Sequence, residues 1–386
     1  MKVISVVGAR PNFMKIAPFI RAVEEYNRIH NNYINHLLVH TGQHYDIRMS
    51  EAFFRDLDIP EPDINLEIGS GSHAEQLGNT MIEFEKVLLR EKPDWVVVVG
   101  DVNATLSCSV IAKRLNIKLC HIEAGLRSGD MTMPEEINRL VTDRLSDLLF
   151  TPDLLSSENL RKEGTPEEKI HFVGNIMIDT LEANRKKAER MNVKKIIRDN
   201  LIEGCKYPDN IKADLNYALM TLHRPSNVDE EKVFVPLVKF LSEEVTKELH
   251  LIWAVHPRAR KQLMKFGLWD SVMNNLSLIL LEPVGYHEMV RLNMGARVML
   301  TDSGGLQEEC CVLGTPCITL RFNTERPVTL REYGGASVLT GNNIDRIREE
   351  FQRALSITRT PTRPELWDGH TAGRIVRILV ETESNK

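Results

Sequence analysis

DWVVVVGDVNATLSCSVIAKRLNIKLCHIE, residues 94–123, contains the pattern from which the fold is predicted. It opens with an apolar run, 94–100, and closes with a second one, 118–123, and both predict β-strands. The segment between them, 103–116, is predicted to be a helix. Continuous apolar strands separated by a helix are typical of a parallel sheet covered by helices on both faces.

The same alternation extends outward from this stretch in both directions. In the first half we predict strands at 2–8, 36–42, 94–100, 118–123 and 148–151, with helices at about 14–29, 72–92, 103–116 and 134–146. After residue 175 a second series of strands follows at 216–222, 249–255, 276–281, 296–301 and 316–320. A Lys/Arg-rich helical stretch, 180–214, lies between the two series.

The pattern predicts an α/β protein of two doubly wound, Rossmann-like domains that face each other across a cleft. We place the domains at 1–174 and 175–368. The last segment, 369–386, contains an amphipathic helix whose domain the pattern does not decide. One arrangement that we consider is that this helix packs back on the first domain.

Length and composition bound the function. A chain of 386 residues is long enough for two domains, and its 42% hydrophobic and 27% charged residues are ordinary for a globular protein. The formal charge of −5, with the signs interspersed, predicts neither a nucleic-acid partner nor a membrane-surface partner. No apolar run approaches the ~20 residues of a transmembrane helix, and the start does not resemble a signal peptide.

The six cysteines do not form a CxxC pair, and most lie among apolar residues. This predicts reduced, buried thiols in a cytoplasmic protein, rather than a disulfide framework or a structural metal site.

Polar segments follow the predicted strands. In an open parallel sheet, ligands bind beyond the carboxyl ends of the strands. Seven such segments are GARPNFMK (8–15), TGQHYD (41–46), GDVNAT (100–105), HIEAGLR (121–127), TLHRPSN (221–227), AVHPRAR (254–260) and TDSGGLQEE (301–309). Because they occupy equivalent ends of strands, we predict that they line one shared cleft.

The segment TDSGGLQEE is the clearest of these physically. Ser303, Gly304 and Gly305 lie between a strand and a helix, where small residues and free N–H groups favour an anion such as phosphate. Glu309, one to two turns into the helix, could accept hydrogen bonds from ribose hydroxyls. The alternative is a simple tight turn. A GxGxxG motif after the first strand and a GxxxxGK[ST] motif are both missing, which disfavours a dehydrogenase and a P-loop NTPase.

Cations and histidines near strand ends suit the same anion. Arg10 follows the first strand, and Lys15 lies at the start of a predicted helix, where the helix dipole disfavours a cation unless an anionic ligand offsets it. A solvated surface pair is the alternative. His223 and His256 each follow a strand, and either they are structural or they hydrogen-bond a phosphate or a leaving group.

Three carboxylates, Asp101, Glu123 and Glu135, are predicted to gather at neighbouring strand ends. Mutual repulsion raises at least one pKa in such a group, which prepares one member as an acid and another as a base.

Local ion pairing is the alternative for these carboxylates. In that case Glu123 pairs with Arg127, and Glu135 pairs with Arg139, each at i,i+4. We assign Glu136 to a structural role in the first turn of its helix.

Together these motifs carry a resemblance. GARPNFMK, GDVNATL, HIEAGLRSGD, MPEEINR, TLHRPSN, TDSGGLQEE and NTERP occur in order between residue 2 and about residue 330. The set resembles the non-hydrolysing UDP-N-acetylglucosamine 2-epimerase family. The resemblance implies the glycosyltransferase B fold with a nucleotide sugar in the interdomain cleft, interconversion of UDP-GlcNAc and UDP-ManNAc without a redox cofactor, and a homodimer. It also implies a role in supplying precursors of cell-surface polysaccharides.

The resemblance also assigns residues. The acid–base candidates are Asp101, Glu123 and Glu135, with His223 near the leaving diphosphate. The family's UDP-binding positions match Arg10, Lys15, Ser303, Gly304, Gly305 and Arg326, and its ribose contact matches Glu309. His256 matches a family histidine near the phosphates, and we count it among the substrate-binding residues. Gln43 and His44 match part of an allosteric site for a second UDP-GlcNAc in bacterial relatives.

Two motifs depart from the family's pattern. Asn12 stands where GTRPE has its glutamate, and Val328 stands where TERPE has its last glutamate. Sister enzymes act on UDP-sugars with extra acetamido or carboxylate groups, so such substrates are an alternative. Further alternatives are a hydrolysing relative that releases the sugar and UDP, a glycosyltransferase and a UDP-sugar sensor. The carboxylate cluster disfavours the sensor, because a binder of an anion gains nothing from it.

Overall fold

The computed structural model describes residues 1–8, 10–31, 33–42, 59–206 and 215–384. The chain divides into two compact units: the first comprises Met1–Ala183 and Pro364–Lys386, and the second comprises Asn184–Arg363. This division falls later than residue 174, where the sequence suggested a boundary. The helix that begins at Ile176 starts on the first unit, where the Thr180 hydroxyl donates a hydrogen bond to the Met14 carbonyl.

A parallel sheet forms the centre of the first unit. Its described strands are β1 Lys2–Val7, β2 Asn35–His40, β3 Ile64–Asn65, β4 Trp95–Val99, β5 Lys118–Ile122, β6 Leu148–Thr151 and β7 Ile170–Phe172. They pair in the order β3-β2-β1-β4-β5-β6-β7. All five residues of β4 are buried, which explains why this strand reads as a continuous apolar run.

The second unit repeats the arrangement. Its described strands are β8 Tyr217–Thr221, β9 His250–Ala254, β10 Leu278–Leu281, β11 Val298–Thr301, β12 Cys317–Thr319 and β13 Ser337–Leu339. They are also parallel and pair in the order β10-β9-β8-β11-β12-β13. The predicted class of two doubly wound α/β domains is confirmed by these two sheets. The sequence missed the short strands β3, β7 and β13, because runs of two or three residues carry no periodic signal.

The helices of the described residues are α1 Arg10–Ile29, α2 His73–Glu91, α3 Asn103–Arg114, α4 Pro134–Leu145, α5 Leu154–Lys162, α6 Ile176–Glu189, α7 Val193–Asn200, α8 Pro225–Val228, α9 Glu231–Phe240, α10 Thr246–Glu248, α11 Pro257–Lys265, α12 Trp269–Met273, α13 Tyr286–Gly295, α14 Gly304–Leu313, α15 Ile344–Ser356 and α16 Thr371–Ser384. A π-helical turn, Leu241–Val245, joins α9 to α10. Among the helices of the described ranges, none is both long and apolar enough to cross a membrane.

Helix α1 begins at Arg10, earlier than the predicted start near residue 14. Pro11 explains the difference, because a proline fits the first turn of a helix, where its missing N–H has no intrahelical partner. Lys15 therefore lies inside the helix rather than at its start. The predicted capping box of α2 is present, with Ser72 and Glu75 each accepting the other's backbone N–H.

The carboxyl-terminal helix α16 packs against α1 in the first unit. Asp179 caps its start by accepting the backbone N–H groups of Thr371 and Ala372 at 3.0 and 2.7 Å. Near its end, Glu383 accepts hydrogen bonds from the Trp95 indole at 2.9 Å and from Lys118 at 2.6 Å.

Each sheet has a point where the strand order reverses, which is where doubly wound folds bind ligands. In the first unit this point lies between β1 and β4, and in the second between β8 and β11. The motifs GARPNFMK and GDVNAT follow β1 and β4, while TLHRPSN and TDSGG follow β8 and β11.

Candidate functional site

Glu123 and Lys15 form a buried ion pair at the carboxyl end of the first sheet. Glu123 follows β5 and is only 4% exposed, and its Oε2 accepts a hydrogen bond from the Lys15 ammonium group. Its Oε1 is buried and has no hydrogen-bond partner among the described residues. A carboxylate so placed can still accept a proton at one oxygen while Lys15 balances its charge.

The backbone of Glu123 is strained. Its φ of 72° lies in the left-handed region, which costs a residue with a side chain about 1–3 kcal/mol. The carbonyl of Phe150 holds this conformation by accepting the N–H groups of both Glu123 and Ala124 at 3.1 Å. Because the surrounding structure maintains this strain at the end of β5, we infer that the direction of the Glu123 side chain is important for function.

Gly100 and Asn12 shape the space beside this pair. A Cβ atom added to Gly100 would lie 3.0 Å from the Lys15 Nζ and 3.6 Å from the Glu123 Oε2, and the φ of this glycine is 69°. The Asn12 amide donates a hydrogen bond to the Val99 carbonyl at 2.8 Å, and its Oδ1 accepts the Gly8 N–H at 3.3 Å. Asn12, which departs from the family's motif, therefore ties the end of β1 to the end of β4.

Asp101 is oriented by an arginine from α4. Arg139 donates to its Oδ2 from Nη2 at 2.7 Å and from Nε at 3.0 Å. The same guanidinium pairs with Glu136, whose carboxylate also accepts the backbone N–H groups of Ser128 and Gly129 at 3.0 and 2.9 Å. These contacts agree with the structural role assigned to Glu136.

The two local ion pairs offered as an alternative for these carboxylates are wrong. Arg139 bonds Asp101 and Glu136 rather than Glu135. Arg127 bonds Asp143 and Glu163 rather than Glu123.

Glu135 differs from the other acid–base candidates because its side chain is exposed, in the first turn of α4. Lys15 of α1 is in contact with Glu123 at the end of β5, and Asp101 is held at the end of β4. Two of the three candidate carboxylates, Glu123 and Asp101, are therefore held in place by ion pairs.

A buried network below Glu123 escaped the sequence analysis. The His121 Nδ1 lies 2.6 Å from an oxygen of Asp143, and its Nε2 lies 2.8 Å from the Gly100 carbonyl. The other oxygen of Asp143 accepts the Gly125 N–H at 3.0 Å and bonds Arg127 at 2.7 Å. Although burial raises the pKa of Asp143, the neighbouring His121 and Arg127 hold it below its ordinary value. The network fixes the turn that carries Glu123.

In the second unit, Asp302 organises the loop that carries His223. Asp302 follows β11 and is fully buried, and its carboxylate lies 2.8 Å from the His223 Nδ1. It also accepts the backbone N–H groups of His223 and Arg224 and the side-chain amide of Asn227. The His223 side chain is 41% exposed, so the imidazole is held at Nδ1 while part of the ring faces solvent. Asp302 belongs to the TDSGG motif, and its contact with His223 was not predicted from the sequence.

His256 is the N-cap of α11. Its Nδ1 accepts the Arg258 backbone N–H at 3.1 Å, which leaves Nε2 as the nitrogen that bears hydrogen in the neutral ring. Burial, and then the neighbouring His223, lower the pKa of His256. The ring centroids of His223 and His256 are 5.7 Å apart, so the predicted pair of histidines does meet.

The Ser303–Gly304–Gly305 segment opens α14 as predicted. A Cβ atom at Gly304 would lie 2.6 Å from the Arg326 Nη1 and 2.8 Å from the Glu325 Oε1, so the Arg326 guanidinium lies over the first turn. Arg326 bonds Glu308 at 2.7 Å and also bonds Glu325. A cation beside a positive helix end favours an anionic ligand, which both groups attract.

Glu309 is buried inside the second unit, with 2% of its surface exposed, and its Oε2 has no hydrogen-bond partner within the described ranges. Burial raises the pKa of Glu309 to about 8, the charge of Glu308 adds to this, and the Tyr286 hydroxyl opposes it. At neutral pH the carboxyl group is therefore largely protonated and can both donate and accept hydrogen bonds. Its ribose contact stays a prediction.

The raised pKa of Glu309 predicts a dependence of stability on pH. Because the folded-state pKa of about 8 exceeds the ordinary glutamate pKa of 4.5, the stabilising protonation is complete below about pH 4.5 and is lost as the pH rises through about 8. Between about pH 5.5 and 8.5, we expect the free energy of unfolding to fall by about 2–4 kcal/mol less in Glu309→Gln than in the wild type. Urea denaturation at each pH measures it. The exposed Glu243→Gln is the control, and equal pH slopes in wild type and Glu309→Gln would contradict the assignment.

Three predicted site residues remain: Arg10, Gln43 and His44. Arg10 is the first residue of α1, next to the end of β1. Gln43 and His44, the proposed allosteric positions, lie outside the described residues.

Comparison with known proteins identifies what this arrangement resembles. A family model described as UDP-N-acetylglucosamine 2-epimerase matches residues 27–380. The UDP-N-acetylglucosamine 2-epimerase of Methanocaldococcus jannaschii is 42% identical, covering 98% of this chain and 99% of that protein. The crystal structure of the M. jannaschii UDP-GlcNAc 2-epimerase in complex with UDP-GlcNAc and UDP has a TM-score of 0.86 at 41% identity, covering 99% of this chain and 100% of the other.

A further relative acts on a different nucleotide sugar. The UDP-2,3-diacetamido-2,3-dideoxy-D-glucuronate 2-epimerase of Pseudomonas aeruginosa is 36% identical, covering 99% of this chain and 100% of that protein. Both relatives match nearly the whole of this chain. Overall sequence similarity therefore does not tell which of the two nucleotide sugars is the substrate of this protein.

Proposed function

We propose, because this chain belongs to the UDP-N-acetylglucosamine 2-epimerase family, that it interconverts UDP-GlcNAc and UDP-ManNAc without hydrolysing them. The family expected from the motifs is thereby confirmed, while the product and the mechanism are our proposal. The observation that carries it is the buried Lys15–Glu123 pair, which keeps one carboxylate oxygen of Glu123 without a partner at the end of β5.

The chemistry of the sugar explains why several carboxylates are needed. The C2 hydrogen has no neighbouring carbonyl to acidify it, so simple deprotonation is prohibitive. Elimination of UDP solves this, because the C2–H electrons form a C1–C2 double bond while the C1–O electrons leave with the diphosphate. The transition state carries positive charge at C1, as in glycoside cleavage. Protonation of the opposite face of C2 and re-addition of UDP complete the inversion, so each face requires a proton-handling group.

The first unit supplies these groups in the proposal. Glu123 offers Oε1 for the proton of C2, and Lys15 balances the charge of the carboxylate. Asp101, fixed by Arg139, and Glu135 are the candidates for the opposite face. The buried, oriented charges of Glu123 and Lys15 need no reorganisation during the reaction, which is the main source of electrostatic catalysis.

The second unit binds the leaving UDP in the proposal. The start of α14, with Gly304 and the overlying Arg326, would stabilise phosphate charge. His223 and His256 present ring nitrogens for further hydrogen bonds, and the protonated Glu309 suits the ribose hydroxyls.

The product test uses purified protein, UDP-GlcNAc and D₂O, without added NAD, followed by proton NMR. We expect UDP-ManNAc with deuterium at C2, since C2–H is broken and remade from solvent. Free ManNAc accumulating in step with UDP would instead establish the hydrolysing activity and contradict the proposal.

A second candidate substrate is a UDP-hexosamine with an additional acetamido or carboxylate group. The P. aeruginosa relative favours it, because its identity to this chain is close to that of the M. jannaschii enzyme. Measuring kcat/KM for both nucleotide sugars in the same NMR assay decides between them.

We also propose a cytoplasmic homodimer. Six free cysteines, all buried, suit a reducing compartment. The homodimer is carried over from the resemblance to the family.

A further inference from the structure

We propose that Asp302 is a positioning residue that holds His223 in the tautomer with hydrogen on Nδ1. This leaves Nε2 of His223 as the nitrogen that meets the leaving diphosphate. The part that concerns the diphosphate rests on the proposed function, whereas the tautomer is a property of the free protein and can be tested without any substrate.

The contacts of Asp302 fix its carboxylate rigidly. His223 donates its backbone N–H at 3.0 Å, Arg224 donates its own at 2.8 Å, and the Asn227 amide donates at 3.1 Å. The carboxylate is fully buried, so water cannot replace these donors. It is held in the ionised form, because His223 and the backbone donors lower the pKa of Asp302 although burial raises it.

An ionised carboxylate can only accept hydrogen bonds. The His223 Nδ1 lies 2.8 Å from it and must therefore carry a hydrogen. In the neutral ring Nε2 is then a proton acceptor, and in the charged ring it is a donor stabilised by Asp302. An aspartate that selects the tautomer of a histidine in this way is the logic of the catalytic triad, here with a different task.

His256 has the opposite arrangement. Its Nδ1 accepts the Arg258 N–H, so its Nε2 carries the hydrogen in the neutral ring. Two histidines whose centroids are 5.7 Å apart therefore differ in function: His256 is a fixed donor, and His223 is the ring whose outer nitrogen changes its protonation.

In the described part of the second unit, charged and titratable groups lie beside the His223 ring and in the contacts around it. Asp302 and His256 lie beside the ring. Arg224 donates from Nε to the Asp302 carbonyl at 3.0 Å, and Arg258 donates from Nε to Asp229 at 2.9 Å. Of these groups, Asp302 is in direct contact with the ring, through Nδ1 at 2.8 Å.

The step can be written with its protons and electrons balanced. The C2 proton passes to a carboxylate of the first unit, the C2–H electrons form the C1–C2 double bond, and the C1–O electrons pass to the β-phosphate oxygen. The charged His223 hydrogen-bonds that oxygen through Nε2–H and transfers its proton as negative charge develops. Re-addition of UDP to the intermediate returns the proton to Nε2.

Nitrogen-15 NMR of the substrate-free protein tests the tautomer. The signals of His223 are assigned by comparison with His223→Gln, and spectra are recorded at a pH where the ring is neutral. We expect hydrogen on Nδ1 in the wild type and on Nε2 in Asp302→Asn, because the amide can turn its NH₂ group toward Nδ1. Hydrogen on Nε2 in the wild-type protein overturns the proposal, whether or not the variant folds.

Activity provides the second readout. We expect Asp302→Asn to lower kcat by about 10²-fold with KM changed by less than about threefold, and to shift the limb of the pH–rate profile that reports His223. The matched control is Asp229→Asn, which removes a carboxylate that bonds Arg258 and should leave tautomer and rate unchanged. A folded Asp302→Asn with the wild-type rate and pH profile contradicts the positioning role. The expected tautomer in a protein without epimerase activity would uphold the Asp302 contact and reject the proposed function.

Discussion

Glu123→Gln is expected to lower kcat by about 10³-fold while the protein still binds UDP. The amide keeps the shape of the side chain but cannot take the C2 proton at the oxygen that has no partner in the described structure. The effect should appear in kcat rather than in UDP affinity, which calorimetry measures separately.

The same substitution has a cost in stability. It leaves the Lys15 ammonium group, whose side chain is only 8% exposed, without its anionic partner. Removing one member of a buried pair costs about 3–5 kcal/mol, and the acceptor oxygen of glutamine offsets part of it. Denaturant unfolding of Glu123→Gln should therefore show a loss of about 2–4 kcal/mol.

Glu135→Gln tests the second of the proposed acid–base groups. Glu135 is exposed, so we expect its substitution to leave stability unchanged within about 0.5 kcal/mol and still to abolish most turnover. Glu163→Gln, which removes a surface carboxylate that pairs with Arg127, is the control for both variants. Wild-type rates in both Glu123→Gln and Glu135→Gln would refute the assignment of these carboxylates.

Gly304→Ala is expected to weaken UDP binding by about 10²-fold. The added Cβ would lie 2.6 Å from the Arg326 Nη1 and 2.8 Å from the Glu325 Oε1, closer than such atoms approach. Arg326 must then move from the first turn of α14, and the methyl group blocks a phosphate from the N–H groups there. Titration of UDP by calorimetry measures the change in Kd.

Gly373→Ala is the matched control, because Gly373 lies near the start of α16, where a Cβ would meet no atom within 4 Å. Alanine is the better helix former, so this variant should gain about 0.5–1 kcal/mol of stability and retain UDP affinity. Unchanged UDP affinity in a folded Gly304→Ala would contradict the placement of the phosphate at α14.

The fold class could be predicted because buried parallel strands have a signal in the sequence. The five residues of β4 are all buried, and the run of valines predicts a buried strand without any information on which strands lie beside it. Strand order has no such signal, because the pairing of β1 with β4 and of β8 with β11 joins segments that are far apart in the chain. The start of α1 was predicted near residue 14, four residues after its observed start at Arg10, although a proline at the second residue of a helix is compatible with its first turn.

The candidate site was predicted in its residue types but not in its contacts. Pairing rules for helices act at i,i+3 and i,i+4, and they suggested Glu135 as the partner of Arg139. The structure pairs Arg139 with Asp101, a residue 38 positions away. Asp302 and His223 are 79 positions apart, and only the adjacency of β8 and β11 brings them together.

In the proposed mechanism the C1–O bond breaks and re-forms while UDP stays bound, and positional isotope exchange detects this event. UDP-GlcNAc is labelled with ¹⁸O in the bridge between C1 and the β-phosphorus and incubated with the protein. We predict that phosphorus NMR will show ¹⁸O in the non-bridging positions of the β-phosphate, because the freed diphosphate can rotate before it re-adds. Epimerised product with all of its ¹⁸O still in the bridge would contradict the elimination mechanism.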